Sequence, residues 1–257
     1  MGIPRWKIDI LLPGSWRGAT CTMLSDGRHH IVVDTGLPHE EYQIVKALEV
    51  RGLRPRDIGL VVNTHMHIDH VLNNCLFSNS LIYTSQETYD WCRSLYSDLL
   101  DEANWERLAL RYYPETYSYS QVRERMVKLR NFALRWWDLN RVGATSQFRW
   151  LETNSLPDGI ETLITSGHVP GHASLLIHEG ETRSVVAGDA LLSRDHDDQI
   201  LTMIPHRKEQ YSLDRAHILS VGGHIVPGHD HEFHIAPTNG EQTPVETDGE
   251  PKPQENT

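Results

Sequence analysis

Four residues able to hold a metal ion crowd into the seven positions Thr64-His65-Met66-His67-Ile68-Asp69-His70. A neutral imidazole and a carboxylate each present a lone pair to a cation. On extended chain, side chains two residues apart project to the same side, so His65 and His67 can reach one ion together. A helix starting near Asp69 would swing Asp69 and His70 toward a second, neighbouring position. Mixed nitrogen and oxygen donors suit zinc, iron or manganese, whereas calcium and magnesium prefer all-oxygen shells. Because the chain has 16 histidines in 257 residues, an isolated one carries little weight. The clustering matters: apolar segments on both sides would half-bury these groups, which is costly unless something ligates or hydrogen-bonds them.

Three further pieces follow in order, each at a turn or strand end. They are Gly167-His168-Val169-Pro170-Gly171-His172, then Ala187-Gly188-Asp189, then Pro227-Gly228-His229-Asp230. Singly, a Pro-Gly-His or a Gly-Asp is an ordinary turn or a strand terminus. As an ordered set of four they mark a shared site.

Positioning these pieces takes strands that end together. Apolar runs predict strands at 8–12, 19–24 and 31–33, the last closing in Asp34-Thr35-Gly36. The spacing of Tyr42, Ile44, Val45 and Leu48 predicts an amphipathic helix over 40–51, with Gly52 as its stop. A buried strand at 58–62 then delivers the chain into Asn63-Thr64-His65. Residues 86–140 change texture to long helical stretches rich in aromatics and arginines, an insert whose rings are read as packing onto the main body. Strands return at 161–164, 174–178 and 184–187, the last two joined through Glu179-Gly180-Glu181 as a hairpin. A helix over 208–221 precedes a short strand at 224–226.

The ordered motifs resemble the metallo-β-lactamase superfamily, whose pattern is His-x-His-x-Asp-His, then a His, a bridging Asp and a final His. The resemblance covers roughly residues 5 to 235 and implies an α/β fold, a four-layered αβ/βα sandwich carrying the helical insert. It implies that His65, His67 and His172 hold one ion, that Asp69, His70 and His229 hold a second, and that Asp189 bridges them. Asp34 matches a position that supports ligands from beneath, and His168 is read as bracing its loop. The other histidines are read as solvated or structurally bonded, with His196 and His206 near enough to Asp189 in sequence to reach the pocket. Two divalent metal ions, zinc before iron or manganese, would activate water, with Asp69 as the catalytic carboxylate handling the proton. The expected function is hydrolysis of an ester, lactone or thioester. Alternatives are an iron-dependent oxidoreductase on the same framework, a phosphodiesterase, or a metal-binding scaffold without catalysis. True β-lactamases of this superfamily generally carry Cys or Ser where this chain has Asp189, so antibiotic hydrolysis is not expected.

Composition limits the partners. The net charge of -11 argues against a phosphate-backbone footprint, although part of it sits in the polar tail at 236–257, read as disordered. No apolar stretch reaches the length of a membrane span. Three cysteines at unrelated spacings favour reduced thiols, and no secretory signal is evident, so a cytoplasmic protein is expected. A small-molecule substrate, neither nucleic acid nor membrane, and a homodimer formed through the insert complete the expectations.

Overall fold

In the computed structural model, the described residues are 5–16, 18–100, 105–112, 114, 127–128, 130–131, 134–136, 138–179, 182–195 and 205–236. Side-chain alternation along short strands decides the layering. In β3 (His30–Val33) and β4 (Leu60–Val62), Ile31, Val33 and Val62 pack against Leu175, Ile177, Val186 and Val226 from a second sheet. Val32 and Val61, one residue out of phase, pack instead against Ile44 and Leu48 of α1 (Glu41–Val50). Each strand therefore serves two cores, one between the sheets and one beneath the helices.

The first sheet runs β1 (Lys7–Leu12), β2 (Cys21–Ser25), β3, β4, β5 (Leu81–Thr84), β6 (Phe148–Trp150), antiparallel up to β3 and parallel beyond it. The second comprises β7 (Ile160–Ile164), β8 (Ala173–Glu179), β9 (Thr182–Gly188), β10 (Gly223–Pro227) and β11 (Phe233–Ile235), in the order β11-β10-β9-β8-β7. Among the described strands there, β9 and β10 alone pair in parallel, joined by a crossover that contains the helix Lys208–Val221. That helix lays Ile218 on Leu176, Val185 and Ile225, the outward residues of the second sheet. Helix, sheet, sheet, helix is the four-layered α/β arrangement expected.

Several boundaries differ from the sequence reading. The strand expected at 58–62 is confined to Leu60–Val62, because Pro55–Asp57 forms a 3-10 turn and the Ile58 N–H donates to the Pro55 carbonyl. Strands β5, β6 and β11, of three or four residues each, are not among the strands expected from sequence. The connection from β5 to β6 includes the helices Gln86–Leu100, Trp105–Tyr112 and Leu139–Val142. Parallel neighbours need such a crossover. The segment 237–257 and His196 lie outside the described residues. No helix among the described residues is long and apolar enough to cross a membrane.

The helix Gln86–Leu100 reaches the site from its side. Its Tyr96 hydroxyl, buried with Leu95 and Leu99 in the outer core, accepts the Ile68 N–H at 3.1 Å. At its start, Ser85 and Thr88 pack against Gly171, which has φ +69 and leaves no room for a Cβ. The same helix thus touches both the 65–70 loop and the 167–172 loop.

Candidate metal centre

The chemistry-bearing residues leave the sheets at one end. His65 follows β4, His168 and His172 lie in the loop between β7 and β8, Asp189 follows β9, and His229 follows β10. Thr20 ties the last of these loops down, its N–H donating to the Gly228 carbonyl and its hydroxyl to the Pro227 carbonyl, each at 2.7 Å.

Two groups of ligand-type atoms result. Those of His65, His67, His168 and Asp189 lie within 4.8 Å of one another, and so do those of Asp69, His70 and His229. In the first, His67 Nδ1 is 2.9 Å from His65 Nε2 and 3.1 Å from His168 Nε2. Asp189 faces both groups: Oδ2 lies 3.3 Å from His168 Nε2 and 3.8 Å from His65 Nε2, while Oδ1 lies 3.2 Å from His70 Nε2 and from His229 Nε2. Asp69 Oδ2 sits 3.4 Å from His229 Nε2.

Proton positions follow from the surrounding bonds. The Thr64 hydroxyl donates to Asp34 Oδ2 at 2.8 Å, so its oxygen is left to accept the Nδ1–H of His65 at 3.1 Å. Asp34 Oδ2 also accepts His70 Nδ1–H at 2.8 Å, and the Ser15 carbonyl accepts His229 Nδ1–H at 2.9 Å. A neutral imidazole has one N–H, so His65, His70 and His229 each turn a lone pair inward. At His70 and His229 that lone pair meets carboxylate oxygen. Two acceptors at 3.2 Å repel unless a positive charge lies between them or on one of them, and the buried His70 Nε2 and Asp189 Oδ1 have no hydrogen-bond partner among the described residues. A cation satisfies both, so these residues fit a metal ion.

The electrostatics carry the same signature. Burial resists charge on His70 and His229, yet Asp189, joined by Asp69 at both and by Asp34 at His70, outweighs it, holding His70 well above its ordinary value and pushing His229 up to about 9. Burial resists charge on Asp189 as well, but His229, His70 and His168 hold it well below the usual carboxylate range. Burial keeps His65 and His168 well below theirs. The cluster requires positive charge beside Asp189, which protons or a metal can supply.

Two histidines lie otherwise than the resemblance implied. His172 does not face the group: its Nε2 accepts the Asp189 main-chain N–H at 3.1 Å and its Nδ1 meets the Thr165 hydroxyl at 2.8 Å, so both ring nitrogens are engaged. His168, read from sequence as a loop brace, turns Nε2 into the first group instead. Both belong to one Gly-His-x-x-Gly-His element, and no sequence signal separates them. The other expected residues, His65, His67, Asp69, His70, Asp189 and His229, are brought together. His206 approaches without joining; its Nδ1–H donates to the Tyr112 carbonyl at 2.6 Å, and its ring lies 5.7 Å from that of Trp91. Trp91 packs on the outer core and also borders the site, its ring centroid 6.2 Å from that of His67. An insert aromatic can thus both pack and line.

Asp34 supports the centre at φ 56, a left-handed conformation Asp tolerates better than most residues. Besides the two bonds at Oδ2, its Oδ1 accepts the Thr64 N–H at 2.9 Å. In Asp34→Asn either orientation of the amide sets its NH2 against a donor, the Thr64 N–H on one side or the Thr64 hydroxyl and His70 Nδ1–H on the other, and the negative charge beside His70 is lost. Metal affinity is expected to fall roughly 10- to 100-fold, as measured by competition with a chromophoric chelator. An unchanged affinity would remove Asp34 from this role.

A family model described as the metallo-beta-lactamase superfamily matches residues 14–231. Metallo-beta-lactamase domain-containing protein 1 of Xenopus laevis is 28% identical over 214 residues, 82% of this chain and 71% of that protein. An N-acyl homoserine lactonase of Bacillus cereus is 25% identical over 180 residues, 61% of this chain and 57% of its own length, so the chain spans little more than half of that relative. Among solved structures, a probable metal-dependent hydrolase from Staphylococcus aureus superposes with a TM-score of 0.60 at 14% identity, over 91% of this chain and 92% of that one, a likeness of fold alone.

Proposed function

We propose that this chain, which belongs to the metallo-β-lactamase superfamily, uses two divalent metal ions, zinc first, to hydrolyse an ester, lactone or thioester bond of a small molecule. His65, His67, His168 and Asp189 Oδ2 would hold one ion, and Asp69, His70, His229 and Asp189 Oδ1 the other. When bound, such ions supply a Lewis acid for the oxygen under attack and lower the pKa of water toward neutrality. The observation that carries the reading is that Nε2 of His65, His70 and His229 all face inward, each ring held by a bond at Nδ1 on its far side.

The chain's own residues divide the remaining work. Asp69 would take a proton and return it to a leaving group that departs toward solvent, a role supported by its side chain being 28% exposed where that of Asp189 is 6%. Trp91, beside His67, offers an apolar surface to the substrate's non-reacting part. The likeness to a lactonase favours lactones and esters within the proposed class. A cytoplasmic location, no nucleic-acid or membrane partner and a homodimer through the helical insert are proposed alongside.

Protein purified without chelator should carry about two zinc per chain and turn over members of a panel of esters, lactones, thioesters and phosphodiesters. One iron per chain with oxygen consumption would instead establish the oxidoreductase. Turnover confined to phosphodiesters would move the substrate class, and two ions without turnover of any kind would leave a scaffold.

A further inference from the structure

Outside both groups of ligand-type atoms, His172 is nonetheless fully buried, as are Thr165 and Ser174 beside it. The bonds joining them have one consistent direction. The Ala187 carbonyl can only accept, so the Ser174 hydroxyl donates to it at 2.8 Å. With that proton committed, Ser174 Oγ accepts from the Thr165 hydroxyl at 3.0 Å. Thr165 Oγ1 must then accept the Nδ1–H of His172 at 2.8 Å, which leaves His172 Nε2 a lone pair to accept the Asp189 N–H at 3.1 Å.

The chain of bonds leaves residue 187 and returns at residue 189, closing a ring around Gly188. That glycine has φ +52, and a Cβ there would lie 2.8 Å from Thr64 and 2.9 Å from His172 Nε2. Glycine is therefore required for both its conformation and its close neighbours, but it leaves the peptide planes on either side softer than any other residue would. We propose that His172 is a positioning residue: the Ser174–Thr165–His172 relay fixes its lone pair on the Asp189 amide and so aims the one carboxylate shared by both halves of the site. The relay's existence stands on the bonds alone, while its effect on metal binding rests on the two-ion reading above.

The relay can be read without metal. In metal-free protein labelled with 15N, imidazole spectra should show His172 as the Nδ1–H tautomer, and the Asp189 amide should exchange slowly with solvent. Thr165→Val keeps the shape of the side chain and removes its hydroxyl; Asp189 amide exchange should speed up by roughly tenfold, and Thr165→Ser should restore it. In the loaded protein, Thr165→Val should weaken metal binding by roughly 10- to 100-fold and shift the visible spectrum of the cobalt form, again with recovery in Thr165→Ser. An Nε2–H tautomer at His172 in the wild type overturns the proposal even if no variant folds, and so does unchanged amide exchange in Thr165→Val. If the exchange results hold but the wild type takes up no metal, the two-ion reading fails and the relay stands.

Discussion

Asp189→Ala is expected to bind at most one metal ion per chain and to lose turnover by about 10³-fold, the equivalent of several kcal/mol of transition-state stabilisation. The reason is positional. One oxygen of this carboxylate faces His168 and His65 and the other faces His70 and His229, so a single truncation removes a donor from both groups. Alanine also deletes the negative charge that offsets burial at His70 and His229. Thermal unfolding gives an independent check. A metal present at 100 times its Kd adds about 2.7 kcal/mol to a folded protein, roughly 5–10 °C for a domain of this size. The wild-type Tm should respond to zinc by that amount and the variant's much less. Metal content and kcat/KM both equal to wild type would rule out the bridging role.

The second large effect separates two histidines four residues apart. Apparent zinc-site energies of roughly 10–16 kcal/mol, divided over four ligands, put one imidazole at about 3 kcal/mol, on the order of 100-fold in affinity. His168→Ala should lose that much from the first group, because its Nε2 lies 3.1 Å from His67 Nδ1 within the ligand cluster. His172→Ala should keep the ligand count and lose only the hold on the Asp189 amide. Extended X-ray absorption of the zinc forms, counting imidazoles per ion, would distinguish the two. A lost imidazole in His172→Ala with none lost in His168→Ala would restore the assignment that the motif alone suggested.

Much of the architecture was readable because burial imposes periods. Strand β3 holds the apolar run Ile31-Val32-Val33 and β9 the run Val185-Val186-Ala187, and the helix Lys208–Val221 falls where it was expected. What stayed hidden was short: β5, β6 and β11 hold three or four residues each, and their pairing is decided by neighbours distant in sequence. The aromatics of the insert illustrate the same limit. Composition says that Trp91 and Tyr96 will be buried somewhere, but only their placement shows one ring beside His67 and the other's hydroxyl on the Ile68 N–H.

At the centre the division is sharper. Residue chemistry alone determined that imidazoles and carboxylates would gather, and adjacency within 65–70 determined that most of them would do so together, since chain connectivity leaves them nowhere else to go. Direction was another matter. Which nitrogen of a ring faces inward depends on what its other nitrogen meets, and those partners, Asp34, Thr64 and the Ser15 carbonyl, arrive from separate strands and loops. His168 and His172 have equivalent surroundings in the primary structure; Thr165 and the Asp189 amide, reached only through folding, engage both nitrogens of one and leave the other to face the cluster.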